Sequence, residues 1–270
     1  MYNIPVSKAS GVDQINRQHL ENLNRFWKNI FSIKQAAKTL ELPLNQSRDL
    51  LGYFARRGWL SRVRPGYYLV VPLGTANPHA YKENSWVAAN TLFTPCCIGG
   101  WSAAEHWHLT EQIFSSIVVI TTKAFRHKQL SIQGVKFVLK LKKKVGRTKS
   151  VWIQNTKIQV SDPAQTIVDM LDNPACGGGI RHVAELIKNY FASEYATQYD
   201  LAKYLSECGN KTTNKRLGFI LESLQIDQAQ LIKACRDHIS TGYSMLDPSI
   251  KSKGTINRHW NLRVNAKIAP

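Results

Sequence analysis

A fixed order of helix and turn signals in the first 75 residues constrains this chain more than any other feature. Ser32 followed by Gln35 is a capping-box pattern and predicts a helix over IKQAAKTLEL. Pro43 interrupts that helix, because proline disfavours a helical residue before it. A further helix is predicted over NQSRDLLGYFARRGW, with Asn45 as its N-cap and Gly58 at its end.

The segments on either side of these two helices complete the pattern. Helical spacing of apolar residues predicts a preceding helix between residues 15 and 30, with Ile15, Leu20, Leu23, Phe26, Trp27 and Ile30 on its apolar face. The β-favouring runs WLSRV and YYLVV are separated by Arg64-Pro65-Gly66, which predicts a hairpin. The order helix, helix, helix, hairpin is typical of a winged helix-turn-helix. We therefore predict such a domain over residues 1–76, built from residues 20–72.

The last helix of this unit has two faces of different chemistry. Ser47, Leu50, Leu51 and Phe54 recur at helical spacing and form its predicted core face, while Ala36 and Ala37 are small enough for a close helix crossing. Arg, Asn, Gln and Asp on the opposite face suit base edges in the major groove of DNA. The predicted DNA contacts are Asn45, Gln46, Arg48, Asp49, Tyr53, Arg56 and Arg57 on the helix, and Arg62 and Arg64 on the hairpin.

The charge of the chain supports a polyanionic partner. Lys and Arg total 36 against 18 Asp and Glu, a formal net charge of +18, and each phosphate contact releases condensed counterions. Residues 123–149 alone carry ten Lys or Arg and no acid. This stretch is a possible second basic surface for DNA, RNA or neither, with Lys140, Lys142, Lys143, Lys144, Arg147 and Lys149 as its candidate residues.

We predict that residues 77–270 form a larger α+β domain. The runs IFSSIVVIT, KFVLKLK, VWIQN and KIQVS predict strands. From Asp162 onward helices dominate, beginning with an Asp-Pro pair that is typical of a helix N-terminus. The predicted architecture is an N-terminal winged helix-turn-helix followed by an α+β domain with a helical second half.

Four stretches of the chain resemble the AbiEi-type antitoxins of bacterial type IV toxin–antitoxin systems. They are RRGWLSRVRPGYY in the first domain, and IGGWSAAEHWHLT and VSDPAQTIVDMLDNPACGGGIRHVAELI in the second, with NKRLGFILESL after them. The resemblance implies a transcriptional autorepressor that binds inverted repeats in its own promoter. It also implies a C-terminal antitoxin domain that counters a nucleotidyltransferase-like toxin without a stable complex.

Several constellations invite a catalytic or ligand-binding interpretation. Ser102, Glu105 and His106 would share one helix face, with His108 nearby, but a capped amphipathic helix explains them more simply. The run Gly177-Gly178-Gly179 lacks the spacing and lysine of a phosphate-binding loop. Five scattered cysteines without a CxxC pair indicate reduced thiols rather than a metal site. We expect no cofactor, no metal and no catalytic activity.

Two other function classes stay open on the sequence alone. The first is a nucleic-acid-processing enzyme, a nuclease or nucleotidyltransferase-like protein, targeted by the winged helix. It lacks an evident pair of carboxylates for a divalent metal. The second is a pure protein-interaction module. No apolar run is long enough to span a bilayer and the N-terminus has no signal-peptide core, so a cytoplasmic protein without membrane partners is expected.

Overall fold

A computed structural model describes residues 13–268 and confirms the α+β class. The chain divides into two compact units. The first runs to Thr91 and includes residues 132–134, and the second contains residues 92–131 and the chain from Val135 onward.

The first unit consists of three helices and a small antiparallel sheet. Its elements in chain order are α1 (Gln14–Phe26), β1 (Phe31–Ser32), α2 (Ile33–Leu40), α3 (Leu44–Arg56), β2 (Leu60–Arg64) and β3 (Tyr67–Val70), followed by a 3-10 turn at Pro78–Ala80. The strands are ordered β1-β3-β2, so β3 is central. A fourth helix, α4 (Ser85–Phe93), begins in this unit and ends in the next.

The first helix is shorter than its apolar pattern predicted. The carboxylate of Asp13 caps its start by accepting from the Asn16 N–H, and it ends at Phe26 rather than near Ile30. Leu23 is fully buried, but Ile15 and Phe26, which share its predicted apolar pattern, are 68% and 63% exposed. Helical spacing identifies candidates for a buried face, but only packing decides which of them are covered.

One apolar core holds the three helices and the sheet of this unit together. Leu51 and Phe54 of α3 are fully buried, and they pack with Leu23, Phe31, Ala36, Leu40, Leu60 and Tyr68. Truncating a buried phenylalanine of this kind costs about 3–5 kcal/mol. The position and orientation of α3 therefore depend on its own buried face.

The first unit extends beyond the boundary predicted after residue 76. The hydroxyl of Ser61 donates to the carbonyl of Tyr81 at 2.8 Å, and the Gln133 amide donates to Ser61 at 3.2 Å. The N–H of Glu83 in turn donates to the side-chain oxygen of Gln133. Tyr81 and Gln133 are thus hydrogen-bonded to Ser61 of the hairpin, which helps to hold their segments in this unit.

The second unit contains a six-stranded mixed sheet. Its strands are β4 (Cys96–Ile98), β5 (Ser116–Thr121), β6 (Gln129–Ile132), β7 (Val135–Leu141), β8 (Thr148–Ile153) and β9 (Thr156–Ser161), in the order β6-β7-β5-β4-β9-β8. The four strands expected from the sequence, β5, β7, β8 and β9, are confirmed. The short strands β4 and β6 were not predicted. The pairs β5–β7 and β4–β9 are parallel, while β4–β5 and β8–β9 are antiparallel.

Helices dominate this unit after β9, as the sequence predicted. The helices of this unit in chain order are α5 (Gly100–His106), α6 (Pro163–Asp172), α7 (Ile180–Ala192), α8 (Tyr195–Gln198), α9 (Leu201–Cys208), α10 (Lys211–Ser223) and α11 (Ala229–Asp237), with a 3-10 turn at Pro174–Gly177. Asp162 caps α6 ahead of Pro163, which confirms the Asp-Pro prediction. None of the helices within residues 13–268 has the length and apolar character needed to cross a membrane.

A second small sheet near the end of the chain escaped sequence analysis. Its strands are β10 (Ser244–Met245), β11 (Thr255–Asn257) and β12 (Leu262–Val264), in the order β10-β12-β11. Leu262 and Trp260 are fully buried and join the core formed by the helices. Strands of two or three residues give too few alternations to produce a period-two pattern, so this sheet has no clear sequence signal.

Candidate nucleic-acid interface

The connection between α2 and α3 sets the orientation of the exposed face of α3. The capping box at Ser32 is present: its hydroxyl accepts from the Gln35 N–H, and the Gln35 side chain accepts from the Ser32 N–H. Glu41 ends α2 in the left-handed conformation, with φ 55°. Pro43 occupies the N-cap of α3, so the prediction that Asn45 caps this helix was wrong.

The predicted base-contacting residues lie together on the outer face of α3. Asn45, Gln46, Arg48, Asp49 and Arg56 are all exposed, whereas Ser47, Leu51 and Phe54 on the opposite face are buried. Among residues 13–268, neither Arg48 nor Arg56 has an acidic partner within ion-pair distance. Both guanidinium groups are therefore available to an anionic ligand.

Gly52 occupies the centre of this exposed face. Helical spacing places it between Asn45 and Arg56, three residues after Asp49. An added Cβ would meet only a terminal guanidinium nitrogen of Arg56, at 3.7 Å, so protein packing does not require a glycine here. Glycine inside a helix costs about 0.5–1 kcal/mol relative to alanine, and it allows close approach of a ligand to the backbone.

Two of the predicted contacts are anchored by aromatic packing. The Tyr53 ring is half-buried and lies against Phe54 and Trp59, with centroid separations of 5.9 and 5.8 Å. The guanidinium of Arg57 lies over the Tyr53 ring at 5.5 Å. This packing restricts both side chains to the C-terminal edge of the α3 face, which suits backbone contacts better than base contacts.

The β2–β3 hairpin projects its cations beside a tight turn. Gly66 has φ +84°, a left-handed conformation that favours glycine, and its carbonyl accepts from the Ile33 N–H at 3.0 Å. This bond ties the turn to the start of α2. Arg62 is exposed, while Arg64 is half-buried with its guanidinium 5.0 Å from the Tyr67 ring centroid.

The possible second basic surface is altered by internal ion pairs. The ammonium of Lys142 lies 2.8 Å from Asp169 and 3.1 Å from Asp172. Burial alone would lower the pKa of Lys142, but the two carboxylates raise it above its ordinary value. Lys142, one of the candidate residues of this surface, is therefore paired with carboxylates of the protein itself.

The remaining members of that surface differ in their availability. Arg147 forms an ion pair with Glu207 and lies over the Tyr204 ring at 4.5 Å, so it too is engaged within the unit. Lys149 lies over Trp107 and Tyr199, and a hydrogen bond with Tyr199 raises the pKa of Lys149. Lys140 is half-buried, while Lys143 and Lys144 are exposed.

The serine of the Ser-His constellation is buried and hydrogen-bonded to the backbone. The hydroxyl of Ser102, inside α5, is buried and accepts from the Val118 N–H at 3.0 Å. The N-cap of α5 is Gly99, and Ser102 lies inside the helix. Within the described part of the chain, no group of three or more His, Cys, Asp or Glu side chains is arranged to hold a metal ion.

The triple-glycine loop is likewise explained by the protein itself. Gly178 and Gly179 adopt left-handed φ values of 78° and 100° ahead of α7. The carboxylate of Asp247 accepts from the Ile180 N–H at 2.8 Å, at the start of that helix. An internal carboxylate thus occupies the position that a phosphate would take in a phosphate-binding loop.

Three features of the structure were not predicted from the sequence. Gly52 was visible as a glycine inside a predicted helix, a signal that usually has a packing or functional reason. Trp152, 68% exposed on β8, carried no local signal that it would be uncovered. The partners of Lys142 are 27 and 30 residues away in the chain, beyond the reach of any local pattern.

These features define a two-unit α+β protein whose first unit presents a cationic helix face. Among solved structures, the chain is similar to the Rv2827c protein from Mycobacterium tuberculosis, with a TM-score of 0.58 and 15% sequence identity. The similarity covers 93% of this chain and 92% of that chain, and it shows a shared fold. No protein-family model matches the chain, and no curated protein matches it.

Proposed function

We propose that the first unit is a winged helix-turn-helix that binds double-stranded DNA. In this proposal α3 enters the major groove and the β2–β3 hairpin contacts the flanking backbone or minor groove. The observation that carries the proposal is the exposed face of α3, where Arg48 and Arg56 have no acidic partner among residues 13–268.

The chemistry of that face supports sequence-specific reading. An arginine guanidinium can donate to two acceptor atoms of guanine at once. The side-chain amide of Asn45 or Gln46 offers the donor and the acceptor that suit adenine. Asp49, also exposed, can accept from a cytosine amino group. Arg57, Arg62 and Arg64 then serve as contacts that position the domain on the phosphate backbone.

A binding assay on the protein's own upstream DNA tests this proposal. Arg48→Ala and Arg56→Ala should each weaken binding by about 1–3 kcal/mol if the side chain reads a base. Arg25→Ala is a matched control, because Arg25 is an exposed arginine on α1 rather than on the α3 face. Equal affinity of the wild type for unrelated duplex, or equal losses for Arg25→Ala and Arg48→Ala, would contradict specific recognition by α3.

We further propose that the chain is a type IV antitoxin and autorepressor, as its resemblance to AbiEi-type antitoxins implies. The first unit would bind inverted repeats in its promoter, and the second would counter a nucleotidyltransferase-like toxin without a stable complex. Because the two roles are assigned to separate units, one set of variants can separate them.

The biological test uses the gene adjacent to this one as the toxin. A double Arg48→Ala, Arg56→Ala variant should lose repression of a promoter reporter yet still rescue cells from that toxin. Loss of rescue in this variant at normal protein levels would contradict the division of roles. An adjacent gene that is not toxic, or whose toxicity this chain leaves unchanged, would remove the antitoxin proposal while leaving DNA binding to be judged separately.

A further inference from the structure

One end of the six-stranded sheet in the second unit concentrates exposed cations. The strands β5 and β7 are parallel, with Thr121 opposite Leu141, so the segments that follow them leave from the same end. The segment after β5 carries Lys123, Arg126 and Lys128, all exposed. Its last residue is held beside β7, because the Lys128 carbonyl accepts from the Leu139 N–H at 2.7 Å.

The β8–β9 hairpin turns at this same end of the sheet. The strand β4 is antiparallel to β5, with Cys96 opposite Thr121, and β9 is parallel to β4. The start of β9, and with it the turn at residues 154–155, therefore lies at the end where β5 finishes. Trp152 and Lys157 face each other across this hairpin. Three strand spacings separate β5 from β8, about 14 Å in all.

Negative charge is scarce at this end. No Asp or Glu occurs between residues 112 and 161. Asp169 and Asp172, which belong to α6, are both bound to Lys142. The exposed ammonium and guanidinium groups of Lys123, Arg126 and Lys128 are therefore not neutralised by acids of their own sheet.

Trp152 gives this cationic surface a place for an unpaired base. The side chain is 68% exposed, and within residues 13–268 the Trp152 ring has no aromatic or cation partner. An exposed indole at the same end of a sheet as exposed cations is a combination by which proteins bind single strands. A duplex does not satisfy it, because paired bases are stacked on each other and cannot be splayed onto the ring.

We propose that this end of the sheet binds single-stranded RNA, with phosphates on Lys123, Arg126, Lys128 and Lys157 and a base stacked on Trp152. We choose RNA over single-stranded DNA because the loops and ends of RNA present unpaired bases. The proposed surface uses no residue of α3 or of the β2–β3 hairpin, so it is independent of the proposed DNA-binding function.

Fluorescence anisotropy of the full chain with a labelled, non-self-complementary 12-nucleotide RNA tests the proposal. Trp152→Ala should weaken RNA binding roughly 5- to 150-fold, the range seen when one stacked base is lost. Trp152→Phe should retain most of the affinity, because a smaller aromatic face is kept. A triple alanine variant of Lys123, Arg126 and Lys128 should lower the slope of log affinity against log salt by about 2, at about 0.7 per phosphate.

Matched controls separate this surface from general basicity. Lys136→Ala should leave RNA binding unchanged, since Lys136 is exposed at the opposite end of β7, paired with Ser116. The double Arg48→Ala, Arg56→Ala variant should bind RNA normally while losing duplex DNA. If the wild type binds RNA but does not bind duplex DNA, this inference is supported and the proposed DNA-binding function is not.

Several results would overturn the inference. One is an unchanged affinity of Trp152→Ala for RNA, and another is an equal loss for Lys136→Ala. Equal affinity for the same sequence as a duplex would show that no base is read by the indole. Tighter binding of single-stranded DNA than of RNA would overturn the assignment to RNA. A further contrary result would be that no RNA binds at low salt while a partner protein is captured through Trp152. The surface would then be a protein contact.

Discussion

Replacing Lys142 by methionine should destabilise the second unit by about 3–5 kcal/mol, the usual cost of breaking a buried ion pair from one side. The ammonium lies 2.8 Å from the carboxylate of Asp169, which is 3% exposed, and 3.1 Å from that of Asp172. At 2.8 Å and an effective dielectric constant of about 20, the gross attraction to Asp169 is about 6 kcal/mol. Hydrogen bonds from Gln165 and Ser161 stay in place and offset part of the loss.

The loss of stability caused by Lys142→Met should also depend on pH. Burial raises the pKa of Asp169, and the charge of Lys142 opposes that rise. Without Lys142 the folded-state pKa of Asp169 rises further above the unfolded value. Between those two values the folded variant binds more protons than the unfolded chain, so its stability falls as pH increases. The destabilisation should therefore be larger at pH 8 than at pH 5.

Urea denaturation followed by circular dichroism at both pH values measures this effect. Lys143→Met is the matched control, since Lys143 is the adjacent lysine and is exposed. Its substitution should change stability by less than about 0.5 kcal/mol, as for most surface positions. A Lys142→Met variant as stable as Lys143→Met, or one with the same loss at pH 5 and pH 8, would refute the buried-pair argument. Weakened nucleic-acid binding without lost stability would refute it too.

Three further substitutions test close approach of DNA at Gly52, packing at Gly218 and the carboxylate of Asp247 at the start of α7. Gly52→Ala should stabilise the first unit by about 0.5–1 kcal/mol yet weaken DNA binding; a variant that binds DNA as well as the wild type would contradict close approach at this position. Gly218→Ala should instead destabilise the protein by about 1–3 kcal/mol, because its Cβ would overlap the buried Trp260 ring; unchanged thermal stability would contradict this. Asp247→Asn should remove stability at neutral pH. Burial raises the pKa of Asp247, but hydrogen bonds from Ser249 and the Ile180 N–H lower it overall, so its contribution is present above pH 4 and is lost as pH falls; identical acid-unfolding profiles for the two proteins would argue against it.

Local chemistry in the sequence was enough to predict most secondary structure. The capping box of Ser32 and Gln35 and the Asp162-Pro163 start of α6 involve partners within three residues. The turn at Gly66 needs only the left-handed conformation that glycine adopts readily. Such signals act over one helical turn or one hairpin, so they can be recognised without knowledge of the rest of the chain.

Exposure along a helix was predicted less well. The outer face of α3 followed from its apolar spacing, since four residues of one face recur at the helical period. The same reasoning failed for Ile15 and Phe26, which share a periodic pattern with Leu23 but have no core opposite them. Asn45 is not the N-cap of α3 that the sequence predicted, because the N-cap lies two residues earlier, at Pro43.

The sequence by itself determined the α+β class, the order of the principal elements and the cationic face of α3. Only the tertiary structure decided which cations stay available. Lys142 and Asp169 are 27 residues apart, and Arg147 and Glu207 are 60 apart, yet each pair meets in the fold. Asp247 likewise reaches the start of α7 from 67 residues away. Whether a charge is neutralised depends on separations of a few ångströms, and those separations are set by how distant segments pack rather than by their place in the chain.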